Sequence, residues 1–343
     1  MRLLVIGGTV FLGRHLVQAA LAAGHQVTTL NRGSQNLEEQ AQVEKLIADR
    51  EGDLSVLSGR TFDAVIDTCG YRPEIVAHSV NALRGSVGRY IFISTVSVYG
   101  EFSAIGINEE DEIKYTAPGE EGDYGSLKAD CEHVVTELMP ENSIIVRPGL
   151  IVGPYDPTDR FTYWPARFAR GGKILVPDRL DRLIQFIDVR DLAAFVLILA
   201  EAQERGIFIA TGPDQRVTLG DFLDACDQAG KAVCELVRVE EAVLEKAGVA
   251  PWSELPLWVP ASKKDYAGMM RLDRSKAVEA GLKCRRIEHT IADTLKWDQT
   301  RDPSMPRAAG LSEEREAGLL RQPKLNLKPG KGPPPRPPAT GNV

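Results

Sequence analysis

The run Ile6-Gly7-Gly8-Thr9-Val10-Phe11-Leu12-Gly13 stands between two patterned segments. Before it, residues 2–6 are mostly apolar and read as a strand. After it, Leu12, Leu16, Ala19, Ala20 and Ala23 fall on one face of a helix that Gly24 stops. Gly7 permits the tight turn, Gly8 lets backbone approach a pyrophosphate, and Gly13 lets helix and strand pack closely. The helix N-terminus adds oriented N–H donors and the positive end of its dipole. With Thr9, Phe11 and Leu12, the run is expected to cradle the phosphates of a dinucleotide, because strand, turn and helix are the context such a motif needs.

On either side, short apolar runs alternate with helical patterns. Strands are expected over 26–30, 63–66, 90–94 and 143–147, and helices near 73–83 and 125–138. This alternation predicts an α/β protein with a Rossmann-type, doubly wound parallel sheet. After Pro148 the character changes. Residues 153–185 are rich in Gly, Pro and aromatics and read as loops with a short helix near 164–170. A helix over 192–202, a strand over 206–210 and a helix over 219–229 follow. The expected division is a Rossmann domain over 1–150, with elements returning near 186–212, and a smaller C-terminal α/β substrate portion over 151–300. Residues 301–343 read as an extended tail, disordered and polyproline-like over 323–343.

Composition narrows the function. The 343 residues carry a net charge of −7, with 43% apolar and 26% charged residues, an ordinary globular make-up. Residues 323–343 hold four basic and no acidic residues, so removing that +4 leaves −11 on the rest. An acidic body disfavours nucleic acid and anionic membranes as partners. No stretch approaches the roughly 20 apolar residues of a membrane span. The strand pattern beginning at Arg2 leaves no room for an export signal. The five cysteines are scattered without a CxxC pair, and the five histidines lack ligand spacing, so neither disulfides nor a metal site is expected. A reduced, cytoplasmic setting follows.

Two further places carry chemistry. Leu30-Asn31-Arg32-Gly33 has no acid at the end of the second strand, where one would hold the ribose hydroxyl of NAD. Arg32, beside Asn31, suits the extra phosphate of NADP, so NADP(H) is favoured and NAD(H) stays open. Tyr124 and Lys128 are one helical turn apart and leave the same face. A phenol with a pKa of about 10 is a poor base at neutral pH. A neighbouring ammonium favours the phenolate and brings it into range. Ser94-Thr95-Val96-Ser97-Val98-Tyr99-Gly100 follows a strand and can supply a hydroxyl to orient a carbonyl.

The glycine turn, Ser94-Thr95…Tyr99-Gly100, Tyr124-xxx-Lys128, Arg147-Pro148-Gly149…Gly153-Pro154 and Phe186-Ile187-Asp188-Val189-Arg190-Asp191-Leu192-Ala193 occur in a telling order. Over about residues 1–300 it resembles the extended short-chain dehydrogenases/reductases, the NAD-dependent epimerase/dehydratase superfamily. The resemblance implies that Thr95, Tyr124 and Lys128 form the catalytic trio, with Lys128 also holding the nicotinamide ribose. It implies too that Pro148 and Gly149 flank the nicotinamide and that Asp53 and Leu54 lie beside the adenine. Val10 replaces the usual middle glycine. With Phe11 and Asn31-Arg32-Gly33, it is similar to an atypical branch that includes the chloroplast stem-loop RNA-binding proteins.

Other departures bear on the reaction. Val96-Ser97 stand where dehydratases carry Asp-Glu, which disfavours sugar dehydration. Leu150 and Ile184 stand where UDP-sugar epimerases place Asn and Arg, although Arg182 or Arg160 could substitute. Ser97, Tyr163, Trp164 and Gln185 are candidate substrate contacts, and Trp258 either closes the cleft or is core. Asp188 and Asp191 are expected to fix a loop and a helix start. The expected activity is hydride transfer between a nicotinamide cofactor and a small carbonyl or alcohol substrate. The alternatives are 4-epimerisation of a nucleotide sugar, and RNA binding or redox sensing without catalysis. A homodimer stays open.

Overall fold

Leu3, Leu4, Val5 and Ile6 are all buried, which a strand manages only inside a sheet covered on both faces. In the computed structural model, residues 1–35, 41–202, 204–321 and 328–329 are described. The elements run β1 (Arg2–Ile6), α1 (Phe11–Ala22), β2 (Gln26–Asn31), β3 (Glu44–Ile47), β4 (Ala64–Asp67), α2 (Pro73–Leu83) and β5 (Tyr90–Ile93). Next come α3 (Tyr124–Leu138), β6 (Ser143–Pro148), β7 (Ile151–Val152), α4 (Tyr163–Arg170), β8 (Gly172–Pro177) and β9 (Leu183–Ile184). They continue with β10 (Ile187–Asp188), α5 (Val189–Glu201), β11 (Gly206–Ala210), β12 (Val217–Thr218), α6 (Leu219–Gly230), β13 (Cys234–Val239) and α7 (Glu241–Lys246). The last are α8 (Ser275–Glu279), α9 (Ile287–Asp298), α10 (Glu313–Leu320) and β14 (Lys328–Pro329).

The chain divides into two units. The first comprises Met1–Asp156, Gln185–Arg216 and Lys263–Arg286. It is built on a seven-stranded parallel sheet in the order β11-β6-β5-β4-β1-β2-β3. The alternation of side chains sorts its core into two layers. Leu3 and Val5 share one with Leu16 of α1 and Val196 of α5, while Leu4 and Ile6 share the other with Val80 of α2 and Val135 of α3. The Rossmann-type fold expected from the alternation is present.

The second unit comprises Pro157–Ile184, Val217–Ser262 and the chain from Ile287 onward. It contains α4, α6 and α9 and a three-stranded sheet, β14-β13-β8. Strand β8 lies in the segment read as loops, and β3 was not anticipated. Residues 301–321 are also not an extended tail. Ser312 caps α10, Leu319 and Leu311 are buried, and Glu316 is 3% exposed. The expectation of disorder over 323–343 lies outside the described residues, apart from 328–329. No described helix is long and apolar enough to cross a membrane.

Candidate active site

Four loops leave the carboxyl ends of adjacent strands in the first unit, after β1, β4, β5 and β6. In an open α/β sheet the ligand crevice lies at such ends, where the strand order reverses beside β1. The glycine turn needs its glycines. Gly7 and Gly8 have φ of +105° and +89°, and a Cβ on Gly13 would stand 2.6 Å from the Gly8 nitrogen. Val10, 54% exposed, is the N-cap of α1 but offers no side-chain cap, and no acid occupies the first turn. Such a helix start suits an anion. Thr9 borders the turn. Phe11 packs edge-on to His15, and the Leu12 side chain is core, so only its backbone can serve a ligand.

Asn31 closes this region. Its side-chain amide donates to the Gly7 carbonyl at 3.4 Å, and its Oδ1 accepts from the Gly33 nitrogen at 2.8 Å. Arg32 next to it is exposed and makes no ion pair among the described residues. Asp53 and Leu54, which the resemblance sets beside an adenine, lie beyond β3. Strand β3 ends at Ile47, the Asp53 carboxylate accepts from Ser55 at 2.9 and 2.6 Å, and Leu54 is packed in the core. Arg50, three residues beyond β3, was missed because no motif marks it. Its guanidinium grips Asp67 at 2.9 and 2.7 Å, Tyr90 donates to the same carboxylate at 2.8 Å, and Arg50 also donates to Ser79. Burial opposes the Asp67 charge, but Arg50 and these hydrogen bonds hold its carboxyl below the usual range.

The Asp67 cluster supports the loop that meets Lys128. Lys128, 2% exposed, donates to the carbonyls of Gly70 at 2.8 Å and Ile93 at 2.6 Å and lies 4.1 Å from the centre of the Phe92 ring. Burial pulls its ammonium down to about 8. Tyr124, one turn earlier, is 55% exposed at the start of α3, which Asp123 caps through the Ser126 nitrogen. The two therefore leave one helix end in different surroundings, one buried and one facing solvent. Tyr71 was also missed. It is 56% exposed, and lost hydration with the neighbouring Tyr124 pushes its phenol up. Thr95 caps the turn Val96–Tyr99, its Oγ1 accepting from the Ser97 nitrogen and donating to Ser97 Oγ, both at 3.1 Å. Pro148 ends β6, and Gly149 packs so closely that a Cβ would stand 2.6 Å from Thr211 Oγ1.

Several candidate substrate contacts have partners within the protein. Trp164 is fully buried and donates to the Pro256 carbonyl at 2.8 Å, and Tyr163, 3% exposed, packs against Gly310. Aromatic rings of this size stabilise a small unit most when buried. Gln185 spends both ends of its amide on the Leu272 backbone. Trp258 is core and donates to Glu241; Arg182 is held by Glu241 and the Val259 carbonyl, and Ile184 is buried in the β9–β12 pair. Arg160 lies 5.8 Å from the Trp252 ring centre. Asp188 caps α5 and pairs with Arg190, and Asp191 pairs with Arg285, as expected of supports.

Comparison with known proteins agrees with this architecture. Residues 3–209 match the family described as the NAD dependent epimerase/dehydratase family. The chain is 29% identical over 249 residues to the chloroplast stem-loop binding protein of 41 kDa b from Arabidopsis thaliana, covering 67% of this chain but only 63% of that protein. It is 25% identical over 344 residues to a putative dihydroflavonol 4-reductase from Synechocystis, covering 86% of this chain and 94% of that one. The fold is similar to that of UDP-glucuronic acid 4-epimerase from Bacillus cereus in complex with NAD. That likeness has a TM-score of 0.63 at 17% identity, over 87% of this chain and 99% of that one. The chain belongs to the NAD-dependent epimerase/dehydratase family.

Proposed function

We propose that the protein is an NAD(P)-dependent oxidoreductase of the short-chain dehydrogenase/reductase type, acting on a small carbonyl or alcohol. The carrying observation is that the uncapped glycine turn, Thr95, Tyr124 and Lys128 all belong to one unit, at the start of α1 or α3 or at the carboxyl end of a strand. Gly7, Gly8 and the α1 start would hold the cofactor's phosphates, and Pro148 and Gly149 would border its nicotinamide. When bound, the nicotinamide supplies or accepts a hydride. In reduction, the Tyr124 hydroxyl gives its proton to the substrate oxygen; in oxidation it takes that proton back. The Thr95 hydroxyl, rotated away from Ser97 Oγ, would donate to the same oxygen and orient it. Lys128, still mainly ammonium at pH 7, favours the charged phenolate. Tyr124→Phe should lower turnover of NADPH with phenanthrenequinone by roughly 10²–10⁴-fold and leave NADPH binding unchanged. Full turnover in that variant sinks the assignment.

Arg32, exposed and unpaired among the described residues, favours NADP(H) over NAD(H). The expected result is greater thermal stabilisation by NADP⁺ than by NAD⁺, with Arg32→Ala erasing about tenfold of the preference. Equal shifts in the unaltered protein would count against it. The NAD-bound epimerase of similar fold supports a second reading, 4-epimerisation of a nucleotide sugar. It predicts conversion of UDP-glucose with no net use of NAD(P)H. Leu150, the buried Ile184 and the committed Arg182 weigh against it. The unpaired, scattered cysteines suit a reducing compartment, so the cytoplasm is the proposed location.

A further inference from the structure

Tyr124, Lys128 and Glu132 recur every four residues along α3, so a third group lies on the stripe that carries the first two. Glu132 is 3% exposed, and its carboxylate is gripped by Arg147 of β6, with Nε at 3.0 Å from Oε1 and Nη2 at 2.7 Å from Oε2. An ion pair buried this deeply is costly unless its remaining hydrogen-bond capacity is met. Here both members meet it on one short segment. Ser94, just before Thr95, donates its hydroxyl to Glu132 Oε1 at 2.5 Å. Tyr99, at the far end of the same turn, accepts from Arg147 Nη1 at 2.9 Å and donates to the Asn108 carbonyl at 2.8 Å.

The turn Val96–Tyr99, which Thr95 caps, is thus held at its entrance by the glutamate and at its exit by the arginine. It also abuts the helix start beside Tyr124, where a Cβ on Gly125 would stand 2.3 Å from the Ser97 carbonyl oxygen. We propose that the buried Glu132–Arg147 pair is a positioning device that fixes the Thr95 turn against the start of α3 by holding both of its ends. Neither residue touches the reacting atoms. Their action is on where the Thr95 hydroxyl points relative to the Tyr124 phenol. The proposal rests on the oxidoreductase reading for its effect on turnover, but its mechanical content does not depend on it.

Ser94→Ala and Tyr99→Phe each release one end and leave the ion pair in place. In the NADPH–phenanthrenequinone assay, each should lower kcat about tenfold and the double variant about a hundredfold, as expected for misplacement of a catalytic group. KM for NADPH and the thermal stabilisation it confers should stay within twofold, and Ser94→Thr should recover at least half of kcat. Backbone amides over residues 95–100 should exchange hydrogen faster in the double variant, while those of α3 and β6 keep their rates. A kcat within twofold of the unaltered protein, together with unchanged exchange over 95–100, overturns the proposal. Tyr124→Phe is run alongside. If it keeps full turnover, or the unaltered protein shows none, the oxidoreductase reading fails and the exchange rates alone decide the positioning role.

Discussion

Two buried arginine–glutamate pairs, one in each unit, share their chemistry and differ in what surrounds them. Arg147–Glu132 in the first unit ends on side-chain hydroxyls, those of Ser94 and Tyr99, at the edges of a turn that carries Thr95. Arg167–Glu316 in the second ends mainly on backbone: the arginine donates to the carbonyls of Gly171 and Lys173, and the glutamate accepts from the Leu175 nitrogen and, at 3.3 Å, from Arg170. The second pair ties α10 to the junction of α4 and β8. One pair therefore holds the ends of the turn that carries Thr95, and the other holds chain segments together. Damage to the first should be read in turnover, and damage to the second in stability.

Within this comparison, the largest effect is expected at the lysine one turn before Glu132. Lys128→Met should cost turnover roughly 10²–10³-fold. It should also remove an alkaline fall in kcat near pH 8, where burial places the ammonium. The sign for folding is opposite. Between about 8 and its ordinary 10.5, the folded state binds fewer protons at Lys128 than the unfolded state, so this group makes stability rise with pH as turnover falls. A pH–stability curve of the unaltered protein and of Lys128→Met, compared over that window, checks the sign. A stability contribution that falls with pH and disappears in the variant would contradict the buried placement.

Next in size is the second pair. Glu316→Ala leaves the Arg167 charge buried and unpaired, at a cost of about 3–5 kcal/mol. The melting temperature should fall by a few °C per kcal/mol. At a temperature where the variant remains folded, kcat should match that of the unaltered protein. A large loss of turnover in folded Glu316→Ala would break the contrast between the two pairs.

This contrast also marks what could be read from sequence. The seven-stranded sheet was largely legible because strands such as Tyr90–Ile93 are continuous apolar runs buried on both faces. Strand β3 was not, because Glu44, Lys45 and Ile47 are exposed at the sheet edge and only Leu46 is buried. Helix α10 hid for a related reason. Its buried residues are Glu316 and Leu319, and a glutamate reads as solvent-facing unless its arginine, 149 residues away in sequence, is known. The glycine turn and the Tyr124–Lys128 spacing are local patterns and could be found. Arg50 reaches Asp67 across 17 residues and Glu132 reaches Arg147 across 15, and only the fold brings them together. Tyr163 and Trp164 are both buried, which the sequence did not reveal, because composition cannot tell an aromatic that lines a cleft from one that fills a core.

The smallest effect tests the second region at its edge. Ser312 accepts the Arg315 N–H at 3.1 Å and caps α10 about one turn before Glu316. Ser312→Ala should cost about 1 kcal/mol, the usual worth of a helix cap, and lower the melting temperature by roughly 2–4 °C. Because the cap only loosens the helix that presents Glu316, Ser312→Ala and Glu316→Ala should combine to less than the sum of their separate costs. Thermal unfolding of the two single variants and the double variant measures that coupling directly. Full additivity would mean that α10 is held independently of its buried pair, and the pair would then lose its place as the support of that helix.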